Sequence, residues 1–161
     1  MPYLIDGSNL LGAARDRRLG LPRDEEGLVA RLASFAEARS ARVVAVFDGP
    51  AEGRGPAGRA SRAGRVKVFY SGSGRAADDV LVDRVRRESA PADWIVVTSD
   101  NDLRRRVRSA GGRVMGCREF SETMARALDR RSGAVEDKPL PGDVEEWEAW
   151  FRRGRGDPER E

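Results

Sequence analysis

Six aspartates stand where carboxylates could act on a phosphate: Asp6, Asp48, Asp78, Asp79, Asp100 and Asp102. Asp6 ends the apolar run Tyr3–Asp6, and Asp48 follows Arg42–Phe47. Asp78 and Asp79 come just after Val66–Tyr70, and Asp100 and Asp102 just after Trp94–Thr98. If those runs are strands of one parallel sheet, most of them deliver an acid to the same edge, where open α/β sheets bind ligands. Carboxylates crowded at one edge repel each other at neutral pH, and a divalent cation removes the repulsion. Mg²⁺ or Mn²⁺ takes octahedral oxygen ligands, activates water and stabilises charge on a phosphate in transfer. The chain has no histidine. That rules out Ser-His-Asp and Cys-His catalysis and histidine metal sites, leaving a hard cation held by oxygen.

Each acid also has a structural reading. Asp48-Gly49-Pro50 is a good turn sequence. Ser99 and Asp100 are good helix caps, and Asp102 suits the positive end of a helix dipole. Asp78 and Asp79 fall in a first helical turn, where acids are expected. Adjacent helical residues point about 100° apart, which leaves the choice between these two open. Asp6 is the hardest to explain structurally, because it ends an apolar strand with only Gly7 after it.

All but two of the 30 basic residues, Lys67 and Lys138, are arginines. Codon bias explains the preference as well as nucleic-acid binding does, and the net charge of +3 is modest. Placement is more telling. Arg54, Arg59, Arg62, Arg65 and Arg75 lead into the acidic helix, and Arg104, Arg105, Arg106 and Arg108 follow Asp102. Positive flanks around a negative centre would hold a polyanionic strand over a metal. The competing readings are a solvated connector for the Gly/Arg-rich loop Pro50–Arg65 and an exposed helix face for Arg104–Arg108.

The elements that must position these groups alternate. Strands are expected at Tyr3–Asp6, Arg42–Phe47, Val66–Tyr70, Trp94–Thr98 and Arg113–Gly116. Helices are expected at Asp24–Arg39, Arg75–Ser89, Ser99–Ala110 and Glu119–Leu128. Alternation of this kind predicts an α/β fold, a mostly parallel sheet of about five strands with helices on both faces. The 161 residues suit one domain over residues 1–130 and an extension over residues 131–161. The extension reads as a linker, a helix over Asp143–Arg153 packed through Trp147, Trp150 and Phe151, and a frayed tail. A single cysteine, Cys117, excludes an intrachain disulfide and fits a reducing cytosol. The N-terminus is no signal peptide, and no apolar run reaches membrane-spanning length.

Leu4-Ile5-Asp6-Gly7-Ser8-Asn9-Leu10-Leu11 resembles the opening of NYN domains, which belong to the PIN-like nucleases. Val46-Phe47-Asp48-Gly49 is similar to their second-strand motif. Val68-Phe69-Tyr70-Ser71 followed by Ala76-Ala77-Asp78-Asp79 looks like the approach to their acidic helix. Val96-Val97-Thr98-Ser99-Asp100-Asn101-Asp102-Leu103 resembles their S-D-x-D segment. The order is closest to the bacterial YacP-like branch and spans Tyr3 to Leu128. The resemblance implies a Rossmann-like PIN-type fold and a cytoplasmic, Mg²⁺- or Mn²⁺-dependent endoribonuclease. Asp6, Asp79, Asp100 and Asp102 would be metal ligands, with Asp78 a further catalytic acid beside them. Asn9 would orient Asp6 or touch the phosphate; by their placement, Ser8, Ser99, Arg54, Arg62, Arg75 and Arg104 are further candidates to contact phosphate or RNA. The implied partner is RNA, free or in a ribosome or another ribonucleoprotein, and the implied state is a monomer or weak dimer. Ser8 and the loop Pro50–Arg65 depart from the family pattern. The alternative is a PIN-like module that binds RNA or a ribonucleoprotein without cutting it. A phosphotransfer domain is a weaker reading, because Ser8 breaks the Asp-x-Asp pair such proteins want after strand one.

Overall fold

A computed structural model describes residues 2–50, 65–74 and 76–130. Most of the Gly/Arg-rich loop, Arg75 and the expected C-terminal helix lie outside the described residues.

Five strands form one sheet: β1 (Tyr3–Asp6), β2 (Val43–Phe47), β3 (Val66–Tyr70), β4 (Ile95–Val97) and β5 (Arg113–Met115). Every pairing is parallel and the order is β3-β2-β1-β4-β5. All residues of β1 to β4 are buried, as continuous apolar runs demand when both faces of a sheet are covered. Phe69 and Tyr70 are core residues.

Side chains alternate between faces along a strand. Tyr3 and Ile5 of β1 join one core with α1 (Gly7–Ala13), α2 (Glu25–Arg39) and α5 (Cys117–Asp129). There Tyr3, Phe35 and Phe120 meet ring to ring, with centroids 5.2 to 5.6 Å apart. Leu4 joins the other core with α3 (Ala77–Arg87) and α4 (Asn101–Ser109). Asp6 has the parity of Leu4, so β1 hands its carboxylate towards the α3/α4 side.

The expected strands and the four longer helices are all present, with ends shifted by a few residues. The expected helix Arg75–Ser89 is the shorter Ala77–Arg87, and α5 starts at Cys117 instead of Glu119. Asp24 caps α2 by accepting the Gly27 N–H at 3.0 Å. The helix α1 is an addition to the sequence reading. Its glycines, Gly7 and Gly12, weaken helix propensity, but Leu10 is fully buried beneath it. Gly7 is also sterically required: a Cβ there would stand 2.7 Å from the Phe47 ring. Among the described residues, no helix is long and apolar enough to cross a membrane.

From β1 the chain adds β2 and β3 on one side and then β4 and β5 on the other. The order therefore reverses between β1 and β4, and ligands of open α/β sheets bind at such a crevice. Asp6 and Thr98 face each other there.

Candidate active site

Asp6 is only 7% exposed. Its Oδ1 accepts the Asn9 N–H at 3.3 Å, capping α1, and its Oδ2 accepts the Thr98 hydroxyl at 3.0 Å. Thr98 is fully buried, and its oxygen also accepts the Asp100 N–H at 3.1 Å. The Asn9 Oδ1 accepts the Ser99 N–H at 2.8 Å and lies 3.2 Å from Cys117 Sγ. A backbone N–H can only donate, so this bond fixes which way the Asn9 amide points. Ser99 Oγ in turn accepts the Cys117 N–H at 3.0 Å. One polar network thus ties the end of β1 to the end of β4 and the start of α5.

Burial pushes the Asp6 carboxyl up to about 6, because desolvation penalises the charged form. The hydrogen bonds from Thr98 and Asn9 pull it back, while the charges of Asp48 and Asp78 raise it further. Asp6 is therefore a strained carboxylate with two acidic neighbours. Burial likewise raises the Cys117 thiol. A buried thiol held in its neutral form is a poor nucleophile.

Asp48 does more than turn the chain. Its Oδ1 accepts the Ala77 N–H at 2.7 Å, supplying α3 with a cap from another strand, and its own N–H donates to Ser8 Oγ at 2.9 Å. Asp78 and Asp79 stand at the start of α3, where Arg106 of α4 reaches both. It hydrogen-bonds Asp79 at 2.8 Å and lies 3.5 Å from Asp78. Asp100 caps α4, its Oδ1 accepting the N–H groups of Asp102 and Leu103 at 2.9 and 3.0 Å. Asp102 has a side chain 71% exposed and pairs with Arg105 at 3.3 Å.

The fold brings Asp6, Asn9, Ser99 and Asp100 into one hydrogen-bonded group, with Asp78 close enough to act on Asp6 by charge. Asp79 is directed to Arg106 and Asp102 to Arg105. Ser8 sits at the rim, bonded to Asp48. Arg104 is half-buried, and its buried Nε has no hydrogen-bond partner among the described residues. Arg54, Arg62 and Arg75 lie outside the described residues. Sequence reasoning missed Thr98 and the Arg106 bridge, and it read Asp48 as an edge acid or a turn former without its bond to Ala77. The signal for Thr98 was a hydroxyl ending an apolar strand directly before Ser99-Asp100.

The family model of the YacP-like NYN domain matches residues 3–145. The chain belongs to this family. Rae1 (YacP) from Bacillus subtilis has a similar fold. One crystal structure of it is 19% identical with a TM-score of 0.60, the match covering 95% of this chain and 91% of that one. Its W164L mutant is 23% identical with a TM-score of 0.59, covering 81% and 80%. At these identities the likeness bears on the fold alone, which is the nuclease-like PIN-type fold the motifs implied. No curated protein matches the chain.

The carboxylates at this edge offer oxygen ligands, and the central one, Asp6, is disfavoured by burial and by two acidic neighbours. That fits a hard divalent cation in its chemistry. Among the described residues no three acidic side chains are gathered into a ready cage.

Proposed function

We propose that this protein is a metal-dependent endoribonuclease that hydrolyses RNA phosphodiester bonds at the acidic edge around Asp6. The observation that carries the reading is Asp6 itself: a buried carboxylate raised to about 6 beside Asp48 and Asp78, at the switch point of a nuclease-like sheet. A cation held by Asp6 with Asp79, Asp100 and Asp102, and with Asp78 beside them, would supply an activated water and neutralise charge on the phosphate.

The chain's own residues do the positioning. Thr98 and Asn9 fix both oxygens of Asp6, and the Thr98 hydroxyl favours the charged form that a cation needs. Asp100 has Oδ1 committed to capping and keeps Oδ2 for a ligand. Arg106 neutralises Asp78 and Asp79 and has to share them with an incoming cation.

Incubated with a circular RNA and Mn²⁺ or Mg²⁺, the wild-type protein is expected to cut it, and Asp6→Asn to leave it whole. Because a circle has no ends, any cleavage is internal. Intact RNA in both reactions refutes the reading. Arg106 on Asp78 and Asp79 favours one other reading, an RNA- or ribonucleoprotein-binding module that does not cut. Salt-sensitive RNA binding, indifferent to chelator and without cleavage, would establish it.

A further inference from the structure

A cavity of about 490 Å³ opens beside the acidic edge, on the α1/α2 side of the sheet. Its volume lies within the usual range for small-ligand sites. Ser8 and Gly12 of α1 line it with Arg15, Arg23, Glu25 and Phe47 of β2. Ser8 follows Asp6 by two residues and binds the Asp48 N–H, so the cavity and the acidic edge share a wall. At Gly12 an added Cβ would meet nothing within 4 Å, so this wall is open for want of a side chain.

Arg15 and Arg23 are exposed, and neither has a side-chain partner among the described residues. Glu25, the one acid of the lining, is engaged in an interaction of its own. Two uncommitted guanidinium groups over an open cavity are suited to a phosphodiester, which they can grip with paired N–H donors. The cavity lies on the face of the sheet opposite α3 and α4, so a strand whose phosphate sits at Asp6 can run over Ser8 directly into it.

We propose that this cavity is a nucleotide subsite. It receives the nucleotide next to the phosphate held at Asp6, with Arg15 and Arg23 on that nucleotide's backbone phosphate. The assignment rests on the ribonuclease reading and names where its substrate strand leaves the acidic edge.

The test measures binding of a short, labelled single-stranded RNA to the full chain, with chelator present so that nothing is cut. Arg15→Ala/Arg23→Ala is expected to weaken binding about ten-fold or more. It should also flatten the salt dependence by about 0.7 in log–log slope, the value for one single-strand phosphate contact. Gly12→Leu, which adds an apolar side chain at the cavity wall without changing charge, is expected to weaken binding as well. Arg39→Ala removes an exposed charge at the far end of α2, about 20 Å along the helix, and is expected to stay within about two-fold of wild type. The subsite is overturned if the double variant binds like wild type, if Arg39→Ala loses as much, or if the wild type binds no RNA. The two readings fail separately. Cleavage that is unaffected by the double variant sinks the subsite and leaves the nuclease. Arginine-dependent binding without cleavage under Mn²⁺ sinks the nuclease and leaves the subsite.

Discussion

Replacing Asp6 by Asn should make the protein more stable at neutral pH, and the gain should disappear in acid. The Asp6 carboxyl is raised from an ordinary 3.8 to about 6. Between those values the folded chain binds a proton that the unfolded chain has released. The folded state is therefore favoured below 3.8, and that advantage is lost as pH rises through about 6. At pH 7.5 the ionised, buried carboxylate costs about 3 kcal/mol, since a ten-fold change in proton affinity is worth about 1.36 kcal/mol. At pH 4.5 the same linkage leaves a cost of about 1 kcal/mol. Asn removes the charge and keeps most of the network. Its amide oxygen can still accept from Asn9, and its NH₂ can donate to Thr98, whose hydroxyl then turns to Asn9 Oδ1, 3.3 Å away. Any imperfect fit subtracts about 1 kcal/mol at both pH values. Urea denaturation of both proteins at pH 4.5 and 7.5, without divalent cations, gives the comparison. The stability difference should grow by about 2 kcal/mol in favour of the variant between the two pH values. A difference independent of pH, or one that favours the wild type more at pH 7.5, would refute the placement of a strained carboxylate at the centre of this edge.

Two further perturbations separate the neighbours. Arg106→Ala frees Asp78 and Asp79 from their counter-ion. Calorimetric titration should show Mn²⁺ affinity rising about two- to five-fold, the range of a partly exposed ion pair; unchanged or weaker affinity would mean that the arginine does not compete for these acids. Thr98→Val keeps the shape and removes the hydroxyl that lowers the Asp6 pKa. The acidic limb of the pH–kcat/KM profile should move to higher pH, and Thr98→Ser should restore it, whereas a loss of activity with no movement of the limb would leave Thr98 a purely structural role.

What was legible in the sequence was what neighbours along the chain decide. The run Val43–Phe47 is apolar at every position and is a buried strand, and Asp24 caps the helix that begins at the next residue. Asp100 likewise caps α4 from its own position in sequence. The misses all depend on partners far along the chain. Thr98 meets Asp6 across 92 residues, and Asp48 caps Ala77 across 29. A neutral hydroxyl and a turn-forming Asp-Gly-Pro have nothing local to announce either role. The helix α1 was hidden for a related reason. Two glycines argue against it locally, and it stands because Asp6 caps it and Leu10 is buried in the core. Arg106 was counted among four arginines on one helix. Only the packing of α4 against α3 selects it as the one that reaches Asp78 and Asp79.

The same desolvation that makes Asp6 costly is what would make it useful. An exposed aspartate is stabilised by water and gains little from a cation, whereas a buried one with two acidic neighbours gains a great deal. The chain balances that charge unevenly across the sheet edge. On the α3/α4 side Arg106 already answers Asp78 and Asp79. On the α1/α2 side Arg15 and Arg23 have no side-chain partner among the described residues. An anionic strand crossing the edge would find its attraction on the second side, while a cation would find its competition on the first. Strand binding and cation binding should therefore respond to different arginines, which makes the two halves of the site separable by mutation even though they meet at Asp6 and Ser8.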